Sequence, residues 1–203
     1  MSKDLWLRRI RNICGLLGGI LPWLSILSVS FISGRPESSL DSISATYYLS
    51  PALPAILCAA SVVLITYDGY TLIDNIITTL SGFFGLCIIL FPCYTSFAPA
   101  RVGFFQLPVN LSHILHCASA GIFFTLLAFN SFFLFTKTDD YDKMTSRKKL
   151  RNIVYRVCGA GMFIGMITQV AGVWSTMVNE IILLTFFAIS WLTKGGLWLK
   201  DKE

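Results

Sequence analysis

Both histidines of the chain fall in one uncharged stretch, Asn110–Phe135 (NLSHILHCASAGIFFTLLAFNSFFLF). Asn110, His113 and His116 recur there at three-residue spacing, which on a helix puts them along one polar stripe at its beginning. An imidazole can donate, accept, transfer a proton or ligate a metal, so this stripe is the first place to look for chemistry. Two acids could join it, Asp41 and Glu180. The polar residues expected at the same level are Ser42, Ser44, Thr46, Gln169 and Asn179. The candidate ligand-binding set is Asp41, Ser44, Asn110, His113, His116, Gln169 and Glu180, with no catalytic residue assigned.

Three chemistries compete for these residues. The expected one is binding of a lipid or other amphiphile, without metal or other cofactor. A zinc hydrolase would instead use His113 and His116, with Asp41 or Glu180 completing the shell around an open water position. His-x-x-His lacks the general base that accompanies His-Glu-x-x-His, so a histidine- or metal-dependent lipid hydrolase stands as the alternative, leaning away from an enzyme. A Ser–His–Asp arrangement of Ser44 or Ser112 with His113 and Asp41 ranks lower, because no Gly-x-Ser-x-Gly elbow is present. An oligomeric channel or small transporter is a second alternative. It would need a polar stripe through the full membrane depth, whereas one half offers only Asn130, Ser131 and Ser190.

The elements that must position these residues read as membrane helices. Of 203 residues 55% are hydrophobic and 13% charged, against about 25% charged in an ordinary soluble domain. The mean hydropathy is +0.69. Charges gather in short segments between uncharged runs, predicting one all-α domain, 1–203, of six transmembrane helices. The spans are expected at about Ile13–Ile32, Ala52–Thr66, Asp74–Pro92, Asn110–Phe135, Val154–Trp174 and Ile181–Leu199. The first reads as a retained signal anchor, with no small-x-small cleavage site after it. The second is the shortest, with Pro51 and Pro54 at its start.

Six spans put every Lys and Arg except Arg35 and Arg101 on one side, out of 16 basic residues. Such asymmetry predicts both termini in the cytoplasm, in a bacterial cytoplasmic membrane. The net charge of +5 therefore marks topology and not nucleic acid. The outer loops are Gly34–Ser50 and Cys93–Val109. The second carries three phenylalanines and two prolines and is expected to fold back on the membrane surface or cap a cavity. The inner loop Lys137–Asn152 is acidic and then basic; it enforces topology, with contact to anionic headgroups as the other reading. Tyrosines fall at the expected membrane interfaces, Tyr141 in the basic loop. The six cysteines form no Cys-x-x-Cys pair and read as small buried apolar residues. Gly161 and Gly165 have the spacing of a close helix contact, within the chain or in a homo-oligomer.

The order of these features resembles the DRAM and FGF-receptor-activating-protein superfamily of six-span membrane proteins, and also uncharacterised bacterial six-span proteins of similar length. The likeness lies in Ile43-Ser44-Ala45-Thr46 before the second span and in His116-Cys117-Ala118-Ser119-Ala120-Gly121-Ile122-Phe123-Phe124 in the fourth. The superfamily signatures there are Ile-Ser-Asp-Thr-Gly and a His-x-x-Gly-Ala-x-x-Phe-type start. Ala45 stands where the signature has Asp and Tyr47 where it has Gly, so an acidic role at that point would be lost or moved to Asp41. The resemblance implies lipid-linked membrane biology, such as lipid-anchor remodelling, phosphoinositide-kinase scaffolding or lysosomal membrane roles.

Overall fold

The structure is a computed structural model that describes residues 3–33, 40–138 and 144–199. Arg35, Tyr141, Lys143, Lys200 and Lys202, together with parts of the Gly34–Ser50 and Lys137–Asn152 loops, lie outside the described residues. Six helices dominate: α1 (Lys3–Ser33), α2 (Ala52–Ile65), α3 (Leu72–Leu90), α4 (Val109–Phe129), α5 (Ser146–Val170) and α6 (Thr176–Lys194). All but α2 are long and apolar enough to cross a membrane. The 14 residues of α2 extend only about 21 Å at 1.5 Å per residue. A five-residue 3-10 turn, Ser44–Tyr48, leads into it.

Local sequence fixes the helix starts. Thr71 accepts from the Asp74 N–H while the Asp74 carboxylate accepts from the Thr71 N–H, a reciprocal cap that begins α3. Thr145 and Ser175 cap α5 and α6 through the N–H groups of Lys148 and Val178. These caps correct two expected boundaries. The fifth helix begins at Ser146, eight residues before Val154, because its basic first turns are capped and helical even though they belong outside an apolar layer. The sixth runs Thr176–Lys194 and not Ile181–Leu199, which places Asn179 and Glu180 within its first turns. The fourth keeps its expected length but not one geometry. After Phe129 it passes into a turn of wide helix, Asn130–Leu134, closed by the Phe135 N–H donating to the Asn130 carbonyl five residues back.

Each helix packs against the next, and α6 returns to α1, closing a ring. Its interior is filled by Leu64, Phe123, Leu127, Met162, Phe187 and Trp191, all buried. Apolar side chains equally cover the outside: Phe31 is 86% exposed and Val170 92%. Large apolar residues on both the inner and outer surfaces of a helix ring suit a lipid surround, not water. The start of α1 and the end of α6 meet at one end of the ring, where Asn12 Nδ2 donates to the Gly195 carbonyl at 3.3 Å. Gly161 and Gly165 both face α6, one against the Phe186 ring and the other against Leu183.

The Cys93–Val109 segment folds into a tight hairpin in which β1 (Arg101–Val102) pairs antiparallel with β2 (Leu107–Pro108). Gly103, at a φ of +71°, makes the turn, and its Cα lies so near the Leu90 carbonyl that a Cβ there would stand 2.5 Å from it. Phe104 and Phe105 at the tip are exposed.

Candidate functional site

At the end of the ring opposite the termini, a cavity of about 520 Å³ lies between α4, α5 and α6 beneath the two outer connections. Six of the seven candidates line it: Asp41, Ser44, His113, His116, Gln169 and Glu180. Asn110 does not. It sits in the exposed first turn of α4, since three-residue steps drift around a helix and carry it off the cavity face.

The outer connection before α2 is tied down by Glu180. Its two carboxylate oxygens accept from the Ile43 N–H and from the Ser44 hydroxyl, each at 2.6 Å. A half-buried carboxylate gains from such donors, and here they come from the residues that begin the 3-10 turn. The Ser42 hydroxyl in turn accepts from the Ala45 N–H. Ser44 therefore spends its proton on Glu180, and the buried Ser112 spends its own on the Pro92 carbonyl at 2.8 Å. Neither serine donates to a histidine.

The two histidines are held in opposite tautomers. His116 is buried, and its Nδ1 lies 2.9 Å from the Phe91 carbonyl and 3.2 Å from that of Ile88. Carbonyls only accept, so Nδ1 carries the hydrogen and the ring caps the free end of α3. Its Nε2 is then a bare acceptor, with no hydrogen-bond partner among the described residues. His113 is arranged the other way. The Tyr94 N–H donates to its Nδ1 at 3.1 Å, which leaves the hydrogen on Nε2, 3.7 Å from Cys117 Sγ. The site thus offers one acceptor nitrogen and one donor nitrogen a turn apart on α4.

Several lining residues were not among the candidates: Ser42, Cys93, Tyr94, Cys117 and Thr176. Cys117 follows His113 by four residues, a helical spacing that could have marked it. Cys93 and Tyr94 enter through the fold, because His116 and Ser112 pin the chain just before them. Burial, with the Glu180 carboxylate nearby, pushes the Cys93 thiol up to about 12, so at neutral pH it is a weak donor and not a thiolate. Among the described residues no group of three His, Cys, Asp or Glu side chains is placed to hold a metal ion.

The cavity changes character with depth. Asp41, Glu180 and the histidines lie toward the outer connections; Ala120, Phe124, Met166 and Leu183 carry it down between the helices. Its side is formed by the divergence of α4 and α5. Lower down these two touch closely, with Gly159 against Phe132 and the Ala128 carbonyl. Higher up the Thr125 hydroxyl reaches Met166 Sδ at 3.4 Å. One turn above that, a Cβ added at Gly121 would meet nothing within 4 Å. Compared with protein-family models, with curated proteins and with solved structures, the chain matches none.

Proposed function

We propose that the protein is integral to a bacterial cytoplasmic membrane and binds or senses a lipid or other amphiphile in an outward-facing pocket. In this reading the chain crosses six times, with α2 and the turn before it forming the shortest crossing and both termini in the cytoplasm. The observation that carries the reading is one cavity with a polar, titratable rim and an apolar depth, which suits a guest with a head and a tail. The distribution of Lys and Arg supports the orientation, since Arg11, Lys148 and Lys194 meet at the end of the ring away from the cavity. Kinship with the DRAM and FGF-receptor-activating-protein superfamily belongs to the same proposal and agrees with it in pointing to lipid.

The test joins topology to occupancy. In a cysteine-free background, Phe104→Cys is expected to react with an impermeant maleimide from outside intact cells, and Lys137→Cys only after lysis. Native mass spectrometry of the purified protein is expected to show a retained amphiphile that Gly121→Phe displaces. Labelling of Phe104→Cys from the cytoplasmic side alone would overturn the orientation, and a protein that never retains an amphiphile would overturn the function.

A second reading, a His-dependent lipid hydrolase, is favoured by one feature: the unpartnered Nε2 of His116, oriented as a base by the α3 carbonyls. It requires turnover of a lipid ester or amide that His116→Asn abolishes.

A further inference from the structure

Among the described residues the cavity lining holds two acids, Asp41 and Glu180, and no Lys or Arg. The nearest basic side chain on the adjoining hairpin, Arg101, is exposed and turned back on its own turn, where Nη1 donates to the Gln106 carbonyl at 3.1 Å. Several acceptors of the polar rim have no donor among the described residues. His116 presents a bare Nε2, Asp41 a carboxylate and Gln169 its carbonyl oxygen, with one amide hydrogen of Gln169 donated to Thr176 Oγ1 at 3.1 Å. Glu180, its two oxygens already engaged by Ile43 and Ser44, adds a second acid to the wall. The donors opposite them, the His113 Nε2–H, the second Gln169 amide hydrogen and hydroxyls and thiols, are all neutral. A phosphate or carboxylate head would lie beside the Asp41 carboxylate with no Lys or Arg among the described lining residues to offset it, and like charges brought together in a half-desolvated site repel.

Resting on the amphiphile-binding reading of this cavity, we infer that its guest is a cationic, amine-headed amphiphile. The ammonium lies among Asp41, His116 Nε2 and Gln169, and the hydrocarbon tail leaves sideways between α4 and α5 past Gly121. Ammonium N–H groups satisfy the acceptors that the protein leaves unmatched. The exposed Tyr94 ring, already edge-on to His113 with centroids 6.4 Å apart, gives the cation an aromatic wall. The tail route follows from the open space at Gly121 and from Val170 and Ile167, which face outward on α5 at 92% and 67% exposure.

The experiment compares a long-chain alkylamine, alkyl alcohol and alkyl phosphate of one chain length. Each is titrated into the full-length protein in zwitterionic nanodiscs, with protein-free discs as blank. The amine is expected to bind about tenfold tighter than the alcohol and tighter still than the phosphate. Asp41→Asn, an exposed position whose loss should not unfold the chain, is expected to narrow the amine-to-alcohol ratio by about threefold. Gly121→Phe, directed into open space, is expected to weaken all three. Phosphate binding as tight as amine binding, or an alcohol that matches the amine, would overturn the head-group inference and leave the amphiphile reading intact. Failure of all three to bind, with Gly121→Phe indistinguishable from wild type, would remove both.

Discussion

At one end of the helix ring Arg11, Lys148 and Lys194 crowd among Tyr67, Tyr70, Tyr155 and Phe135; at the other, Asp41, Glu180 and two histidines line an open cavity. The basic end is filled. Arg11 is 4% exposed, its Nε donates to Tyr67 Oη at 2.9 Å, and its guanidinium lies over the rings of Tyr67 and Tyr70. The Lys194 ammonium sits within 6 Å of three ring centroids and donates to the Phe135 carbonyl at 3.2 Å. Cations that have given up water are stabilised here by aromatic faces and a backbone oxygen. Burial also raises the Tyr67 phenol above its ordinary value, with Arg11 opposing the shift. The acidic end keeps its polar groups on the wall of a cavity and leaves acceptors unspent. The same bundle thus closes one end with its own side chains and leaves the other for a guest.

Two glycines sharpen the contrast most. Gly159 and Gly121 belong to neighbouring helices, yet a Cβ at Gly159 would lie 2.6 Å from Phe132 Cβ and 2.9 Å from the Phe132 nitrogen, while one at Gly121 meets nothing. Gly159→Leu is expected to destabilise the protein by about 2–3 kcal/mol, because backbone must move. Gly121→Leu is expected to stay near wild type. Thermal unfolding in one detergent checks both, and equal losses would mean that α4 and α5 do not diverge as described.

A smaller effect is expected at His116, where two roles can be separated. His116→Ala removes the ring that caps the Ile88 and Phe91 carbonyls and is expected to cost about 1 kcal/mol, the scale of an interhelical hydrogen bond in a membrane. His116→Asn keeps a donor near the Nδ1 position but lacks the acceptor at Nε2. It is expected to recover most of that stability while binding the amine probe no better than His116→Ala. Recovery of binding together with stability would show that Nε2 plays no part in the site.

The smallest effect concerns Cys93. A raised thiol pKa means that the reactive thiolate forms only as pH climbs toward about 12, so alkylation of native Cys93 is expected to stay slow through neutral pH. Glu180→Gln removes the neighbouring charge and is expected to speed the reaction by several-fold at fixed pH, read by mass spectrometry. Rapid alkylation of the wild-type residue at neutral pH would contradict the buried placement.

The helical class was legible because lipid-facing helices must be apolar over their length, and runs such as Leu72–Leu90 leave no other reading. The gathering of His113, His116, Gln169 and Glu180 was legible from their shared level alone. What Glu180 does there was not. Its partners Ile43 and Ser44 are more than 130 residues away in sequence, and no local pattern announces a carboxylate that receives a distant backbone N–H. Ser175 sets where α6 begins, and the same tie lets an acid lie within it: a rule that keeps acids out of spans cannot anticipate a carboxyl group met by two donors. Asn110 illustrates the reverse error, since spacing showed that it shared a helix with the histidines but not which way that helix would be turned.

The wide turn at Asn130–Leu134 carries a consequence for how this molecule can change. It uses about one residue more per turn than a regular helix, so the chain beyond it is rotated by about 100° relative to an unbroken rod. The stretch that aims the imidazoles and the stretch that offers the Phe135 carbonyl to Lys148 and Lys194 are therefore phased separately, although they belong to one continuous helix. Deleting a single residue from that turn would leave the pocket's aim untouched while swinging the lysine acceptor away.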